Sequence, residues 1–174
     1  ARPLAHVECV DMREELHRGN RTIISAPLRQ LIEETMAKKE QMILMLNRRG
    51  FSTFVMCRSC GAVVKCPSCS LPLVYHRSGK LLCHHCDIEQ AVPFLCPECS
   101  SPYIKYFGSG TEKLEAELKA LVPTARIVRM DRDTTARKLA HQEILTAFRE
   151  KRYDILLGTQ MVAKGHDIPG VTAV

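Results

Sequence analysis

Apolar residues along this chain recur with two different periods, and a long central stretch follows neither. Residues 6–12 alternate, which predicts a strand with Val7, Cys9 and Asp11 on one face and Cys9 as a buried, inert thiol. Residues 21–25 form either a short second strand or a loop. Leu28, Leu31, Ile32, Thr35 and Met36 then recur at helical spacing behind a Ser25 N-cap with Pro27 in the first turn, and Lys38 and Lys39 close the helix. Residues 41–46 are a compact apolar run too short for another helix, so they predict a buried, parallel strand.

The same alternation of types returns beyond residue 100. Residues 103–107 predict a strand, and Ser109 with Glu112 forms an S-x-x-E capping box ahead of a helix whose stripe is Leu114, Leu118, Leu121 and Val122. Pro123 stops that helix. A strand over 126–130, a polar loop over 131–135, a helix from about 138 to 150 burying Leu139, Ile144, Leu145 and Phe148, and a strand over 153–157 follow. Residues 171–174 begin one more strand, and ending there fits a piece of a longer protein. Strands and helices in alternation with short connections predict right-handed βαβ units around a parallel sheet, an α/β fold.

The aperiodic centre is where cysteine concentrates. Eight of the nine cysteines lie between residues 57 and 99 as four C-x-x-C pairs. That is the ligand count of two tetrahedral zinc ions, with both sulfurs of a pair reaching one metal. Residues 73–76 and 80–82 flank a turn containing Gly79, so a hairpin should bring Cys66 and Cys69 onto Cys83 and Cys86. The outer pairs, Cys57 and Cys60 with Cys96 and Cys99, then close around them, giving nested sites. Gly61 suits the tight turn in which backbone N–H groups point at thiolate sulfur. His76, His84 and His85 are alternative ligands that eight thiolates make unnecessary. Four thiolates close the shell around a metal, so both sites read as structural rather than catalytic.

Composition narrows the setting. A chain of 174 residues with 45% hydrophobic and 25% charged residues is globular. No apolar run approaches the ~20 residues that span a bilayer, and the N-terminus lacks the apolar core of a signal peptide. A cytoplasmic protein without a membrane partner is therefore expected, and a reducing compartment favours metal over disulfides. Eight thiolates and two Zn²⁺ bring the formal charge from +6 to +2, so any nucleic-acid surface must be a local patch. One candidate is Arg48 and Arg49 at the end of the 41–46 strand, either a solvated turn or a phosphate contact. Another is the set Arg58, Lys65, Arg77 and Lys80 with Tyr75 and Phe94, either a contact surface or the ordinary cations of a small module.

Taken in order, Asn47-Arg48-Arg49-Gly50, the four C-x-x-C pairs, Gly110-Thr111-Glu112, Asp131-Arg132-Asp133-Thr134-Thr135 and the 158–167 stretch from Gly158-Thr159-Gln160 to Lys164-Gly165-His166-Asp167 closely resemble the bacterial primosomal protein N′ (PriA) family of replication-restart helicases. The resemblance runs from about Val10 onward. It implies part of the second of two RecA-like lobes of a superfamily-2 DNA helicase, interrupted by a two-zinc insertion. Residues 1–56 would open the lobe, 57–100 would be the insertion and 101–174 would continue the lobe.

The resemblance further implies an ATP- and Mg²⁺-dependent 3′-to-5′ translocase. Such an enzyme recognises stalled or branched forks and promotes primosome assembly and replication restart. Forked or single-stranded DNA, single-stranded DNA-binding protein and other primosome proteins would be its partners. By position, residues 47–50 resemble motif IV, which puts Arg48 and Arg49 near DNA. Residues 158–167 resemble motif V, with Thr159 and Gln160 near the DNA backbone and Lys164, Gly165 and Asp167 near the nucleotide and lobe interface. The zinc sites of the family are nested, as the hairpin requires.

The chain contains no G-x-x-x-x-G-K-[ST] phosphate-binding loop. The first lobe's acidic Mg²⁺ site is also missing, and an arginine-rich last motif is expected after residue 174. By itself the chain is therefore expected neither to hydrolyse ATP nor to unwind DNA. Two other classes compete: a non-enzymatic zinc-ribbon module binding nucleic acid or protein, and a thiol–disulfide exchanger using C-x-x-C.

Overall fold

Two sheets divide the chain between them. The structure is a computed structural model that describes residues 5–46, 53–76, 78–106, 110–131, 134–135, 139–162 and 168–174. In chain order the elements are helices α1 (Met12–His17) and α2 (Ala26–Ala37), then strands β1 (Gln41–Met45), β2 (Thr53–Cys57), β3 (Val74–Tyr75), β4 (Lys80–Leu82), β5 (Glu89–Ala91) and β6 (Ile104–Tyr106). Helix α3 (Thr111–Leu121), strand β7 (Ile127–Met130), helix α4 (Ala140–Arg149), strand β8 (Ile155–Gly158), a single 3-10 turn (Gln160–Val162) and strand β9 (Val171–Ala173) complete it. Strands β7, β8, β1 and β9 form a parallel sheet in that order. Strands β5, β4, β3, β2 and β6 form an antiparallel one.

The parallel sheet is covered on both faces, which is why β1 and β8 read as unbroken apolar runs. Met42, Leu44, Ile155 and Leu157 pack on one face with Ile32 of α2 and Leu114 and Leu118 of α3. Ile43 and Leu156, one residue out of step, pack on the other with Met130 and with Leu145 and Phe148 of α4. A strand alternates its side chains, so one apolar run serves two cores. Helix α2 starts where expected: Ser25 accepts from the Leu28 N–H at 3.2 Å, and Pro27 lies in the first turn. At the end of β8, a Cβ on Gly158 would sit 2.6 Å from the Met130 carbonyl oxygen and closer still to Val162. Only glycine allows the turn after β8 to lie this close to β7.

Several sequence expectations fail for identifiable reasons. Residues 6–12 form no strand: Val7 is 81% exposed, Cys9 is exposed rather than buried, and the chain turns helical at Met12. An alternating segment gains nothing without a neighbouring strand. Asp11 instead caps α1 by accepting from the Arg13 N–H at 2.9 Å. Residues 21–25 are a loop. The strand foreseen over 103–107 exists as β6, yet it pairs antiparallel with β2, Val55 opposite Tyr106, and not with the parallel sheet.

Helix α3 takes Gly110 as its N-cap with no side-chain cap bond, and Ser109 lies outside the described residues. Leu139 is 61% exposed with φ at +73° just ahead of α4, not part of its buried stripe. Among the described residues no helix is long and apolar enough to cross a membrane.

Candidate metal centres

Each C-x-x-C pair builds the same turn. The N–H four residues after the first cysteine donates to that cysteine's carbonyl, from Gly61, Ser70, Asp87 and Ser100, at 2.8–2.9 Å. The first cysteine's own N–H donates to the carbonyl five residues on, in Ala62, Leu71, Ile88 and Ser101, again at 2.8–2.9 Å. Closing the turn this tightly drives its fourth following residue to positive φ, between +55° and +81°. Only the first turn meets that demand with glycine.

The turns then assemble in two sets, Cys57, Cys60, Cys96 and Cys99 outside and Cys66, Cys69, Cys83 and Cys86 inside, with all sulfurs of a set within 4.8 Å of one another. The inner set forms because Val74 pairs with Leu82 and Tyr75 with Leu81, with Gly79 at φ +83° in the intervening turn. The outer set forms because β2 and β6 pair where the chain enters and leaves the small sheet. Val55, Val64, Leu73 and Leu81 fill the space around the inner set.

The sulfur spacing matches a tetrahedral metal rather than a disulfide. Cys57 to Cys99 is 3.7 Å, Cys60 to Cys96 is 3.7 Å and Cys69 to Cys83 is 3.5 Å. Zinc–sulfur bonds of 2.3 Å in a tetrahedron give about 3.8 Å between sulfurs, against about 2.05 Å for a disulfide. Backbone N–H groups already aim at the sulfurs, among them Cys86 N–H to Cys83 Sγ at 3.4 Å.

Thiol acidities follow the crowding. Burial opposes ionisation of Cys57, but N–H groups of Cys60 and Ser59 and the neighbouring thiols bring it down to about 7. Cys83 reaches about 7 in the same way through Cys86 and His85. The Cys69 thiol and burial push Cys86 up to about 12. At Cys99 the Ser101 N–H favours ionisation, but burial and the sulfurs of Cys60, Cys57 and Cys96 outweigh it and carry the thiol to about 12. Four sulfurs this close cannot all shed protons until a cation neutralises them, which is the chemistry of a thiolate metal site.

The outer set is fastened to the lobe. Arg58, placed by sequence among the surface cations, is 6% exposed. Its Nη1 donates to the Arg21 carbonyl at 2.8 Å, its Nη2 to the Asn20 carbonyl at 3.1 Å, and its N–H to the Tyr103 carbonyl at 2.8 Å. Asn20 donates in turn to Glu15 at 2.6 Å, and the buried Glu15 carboxylate also accepts from the N–H of Ala26 at the start of α2. The Asn20 amide lowers the Glu15 pKa most, with the Ala26 N–H adding to it. Around this chain His17 Nε2 lies 3.3 Å from Ser59 Oγ, and Arg21 sits over the Tyr103 ring. Sequence reasoning missed Glu15, Asn20 and the role of Arg58. The one signal was an arginine enclosed between two metal-binding cysteines, where little solvent reaches.

The ends of the parallel strands form a second region. Met45 and Met130 both lie beside Gly158, and the Leu46 N–H donates to the Gly158 carbonyl at 2.8 Å. Thr159 and Gln160 therefore leave the sheet between the ends of β1 and β7, where open α/β sheets present ligand-binding groups. Asp131 follows β7 there. Burial raises its pKa, but the Thr111 hydroxyl, the Thr134 N–H and Arg129 hold it below the ordinary carboxylate value. Arg48, Arg49, Lys164, Gly165 and Asp167 lie outside the described residues. Of the remaining cations in the small sheet, Lys80 is paired with Glu89 at 2.9 Å, and Arg77 is also outside the described residues. Phe94 is 95% exposed.

Residues 66–90, which span the inner set and its hairpin, match the family model described as the PriA DNA helicase Cys-rich region domain. The chain is 55% identical over 174 residues to replication restart protein PriA of Bacillus subtilis, covering 99% of this chain and 22% of that protein. It is 49% identical to the PriA of Synechocystis over 179 residues, covering 100% and 22%. To the PriA of Haemophilus influenzae it is 41% identical over 152 residues, covering 87% and 21%. The chain thus spans about a fifth of the length of the relatives it matches. With identity this high along nearly every residue, and a Cys-rich-region match on the inner cysteines, the chain belongs to the PriA replication restart family over the stretch it spans.

Proposed function

We propose that this chain is the zinc-bearing portion of a RecA-like motor lobe from an ATP-dependent 3′-to-5′ DNA helicase that recognises stalled or branched forks and promotes primosome assembly. The observation that carries the reading is the grafting itself. A small sheet holding two nested four-cysteine sets is inserted between β1 and α3 of a parallel α/β sheet. Residues 1–56 and 101–174 are the lobe in this reading and 57–100 the insertion, with β2 and β6 on either side of it joining the small sheet. Two Zn²⁺ occupy the cysteine sets and supply a fixed, closed scaffold without an open coordination position.

DNA, forked or single-stranded, is the proposed ligand. Arg48 and Arg49 after β1 and Thr159 and Gln160 after β8 contact its backbone through guanidinium, hydroxyl and amide groups. Lys164, Gly165 and Asp167 face nucleotide and the companion lobe. ATP phosphates and Mg²⁺ are held by parts supplied outside this chain, as are contacts to single-stranded DNA-binding protein and other primosome proteins. The test is binding of a forked and a single-stranded DNA by the zinc-loaded chain, before and after chelation. Binding that weakens on loss of zinc, and again with Thr159→Ala, supports the reading. Binding that is absent, or indifferent to both changes, overturns it.

A further inference from the structure

Outside the cysteine sets, two imidazoles converge on the face of the small sheet. His76 Nε2 and His84 Nε2 are 3.3 Å apart, their ring centres are 5.2 Å apart and the rings are tilted by 57°. Each springs from a hydrogen-bonded turn. His76 closes the β3–β4 turn, its N–H donating to the Lys80 carbonyl at 2.9 Å and its carbonyl accepting from the Gly79 N–H at 3.0 Å. His84 projects from the turn that presents Cys83 and Cys86, and it is exposed. The two side chains therefore meet across β4, from opposite ends of that strand.

The spacing discriminates between two arrangements. A straight N–H···N bond puts each ring centre directly behind its nitrogen, which separates the centres by more than 5.2 Å when the nitrogens are 3.3 Å apart. Here the centres are closer, so the nitrogens do not lie in line with their ring centres, as they must not if both lone pairs are to aim at one point to the side. Two imidazoles bonded at about 2.0–2.1 Å to one tetrahedral ion place their nitrogens about 3.3 Å and their centres about 5.2 Å apart. Both observed distances match.

We propose that His76 and His84 form a third metal site, a two-imidazole chelate for a divalent transition-metal ion of the Zn²⁺ or Ni²⁺ class. Imidazole suits these ions, and the bonded His76 backbone and the bonded Cys83 turn hold the points from which the two rings project. An ion there ties the β3–β4 turn to the inner cysteine set. Unlike the four-thiolate sites, it keeps two positions for water or an oxygen ligand.

The experiment uses the chain with both cysteine sets filled by zinc and adds Ni²⁺ as the probe. Calorimetry is expected to show one further ion, and NMR selective broadening of the His76 and His84 ring signals. His76→Ala and His84→Ala should each weaken that ion by more than about tenfold, the loss that even an outer-shell partner can cause. Zinc content should stay at two per chain, and His6→Ala should change nothing. If His84→Ala disturbs the adjacent cysteine turn, His76→Ala and the NMR signals decide. Absence of a third ion, or a third ion that survives His76→Ala with its broadening elsewhere, overturns the proposal.

Discussion

Arg58, lodged between the two cysteines of the first pair, donates through Nη2 to the carbonyl of Asn20 at 3.1 Å. This bond joins the outer metal centre to the segment that leads into α2, since Asn20 holds Glu15 and Glu15 holds the Ala26 N–H. The insertion is thus oriented by a part-buried hydrogen-bond chain as well as by the β2–β6 pairing.

Arg58→Ala removes the two donors that the part-buried carbonyls of Asn20 and Arg21 share. Losing charge-assisted, part-buried bonds from a buried guanidinium should cost about 1.5–3 kcal/mol. Arg58→Lys should recover only part of this, because an ammonium cannot fork to two carbonyls in fixed directions. Urea unfolding of the zinc-loaded chain measures both. A change below about 0.5 kcal/mol, the range of ordinary surface substitutions, would contradict the assigned role.

The four cysteine turns differ in how comfortably they reach positive φ. Gly61 does so freely, whereas Ser70, Asp87 and Ser100 do so at φ of +55° to +61° with a side chain attached. Gly61→Ala should therefore lower stability by about 1 kcal/mol through backbone strain, since the added Cβ meets nothing nearer than Arg13 Cδ at 3.6 Å. Ser100→Gly should raise it, by less than about 1 kcal/mol because glycine is also freer when unfolded. Melting temperatures at full zinc occupancy separate the two. Opposite signs would show that the turn does not need left-handed backbone.

How far the sequence was readable depended on the range of the interactions involved. The cysteine partnership followed from one local hairpin, and α2 announced itself through Ser25 and Pro27, all within a few residues. The pairing of β6 with β2 was not readable, because nothing local tells a short strand which sheet it will join. Residues 6–12 misled because alternation was counted without asking for a partner strand, although Asp11 followed by Glu14 and Glu15 was a helix-start signal. At the candidate site the ligands were legible and their anchoring was not. Arg58 reads as a surface charge until Asn20, Arg21 and Tyr103 arrive from distant parts of the chain.

Arg126 and Asp154 give the parallel sheet an acid-sensitive contact. The Arg126 side chain approaches Asp154 at 2.6 Å, and the Arg126 N–H donates to the same carboxylate at 2.8 Å. The Arg126 side-chain bonds, and then its backbone N–H, hold the Asp154 pKa below the ordinary 3.8 despite opposing burial. A carboxylate with a lowered folded-state pKa contributes stability above its unfolded pKa and loses it as pH falls through the folded value. Asp154→Asn should therefore be less stable than the native chain at pH 7. The gap should hold down to about pH 5 and close below about pH 4. Paired unfolding curves across that range, each at matched zinc content, test the sign; a gap that widens in acid contradicts it.

The two metal centres should also part with zinc in order. Cys99 of the outer set is exposed, while the inner four are buried or half-buried and surrounded by Val55, Val64, Leu73 and Leu81. Chelator and alkylating agent therefore reach the outer set first. Limited chelation followed by alkylation should label Cys57, Cys60, Cys96 and Cys99 while the inner four stay protected. Arg58 lies inside the outer turn, so loss of that metal should also release the Asn20 and Arg21 carbonyls. Trypsin cleavage after Arg18 and Arg21 should accelerate in step with the first zinc lost. Labelling of the inner cysteines first, or cleavage that waits for the second zinc, would show that the hydrogen-bond chain from Arg58 to Glu15 does not depend on the outer centre.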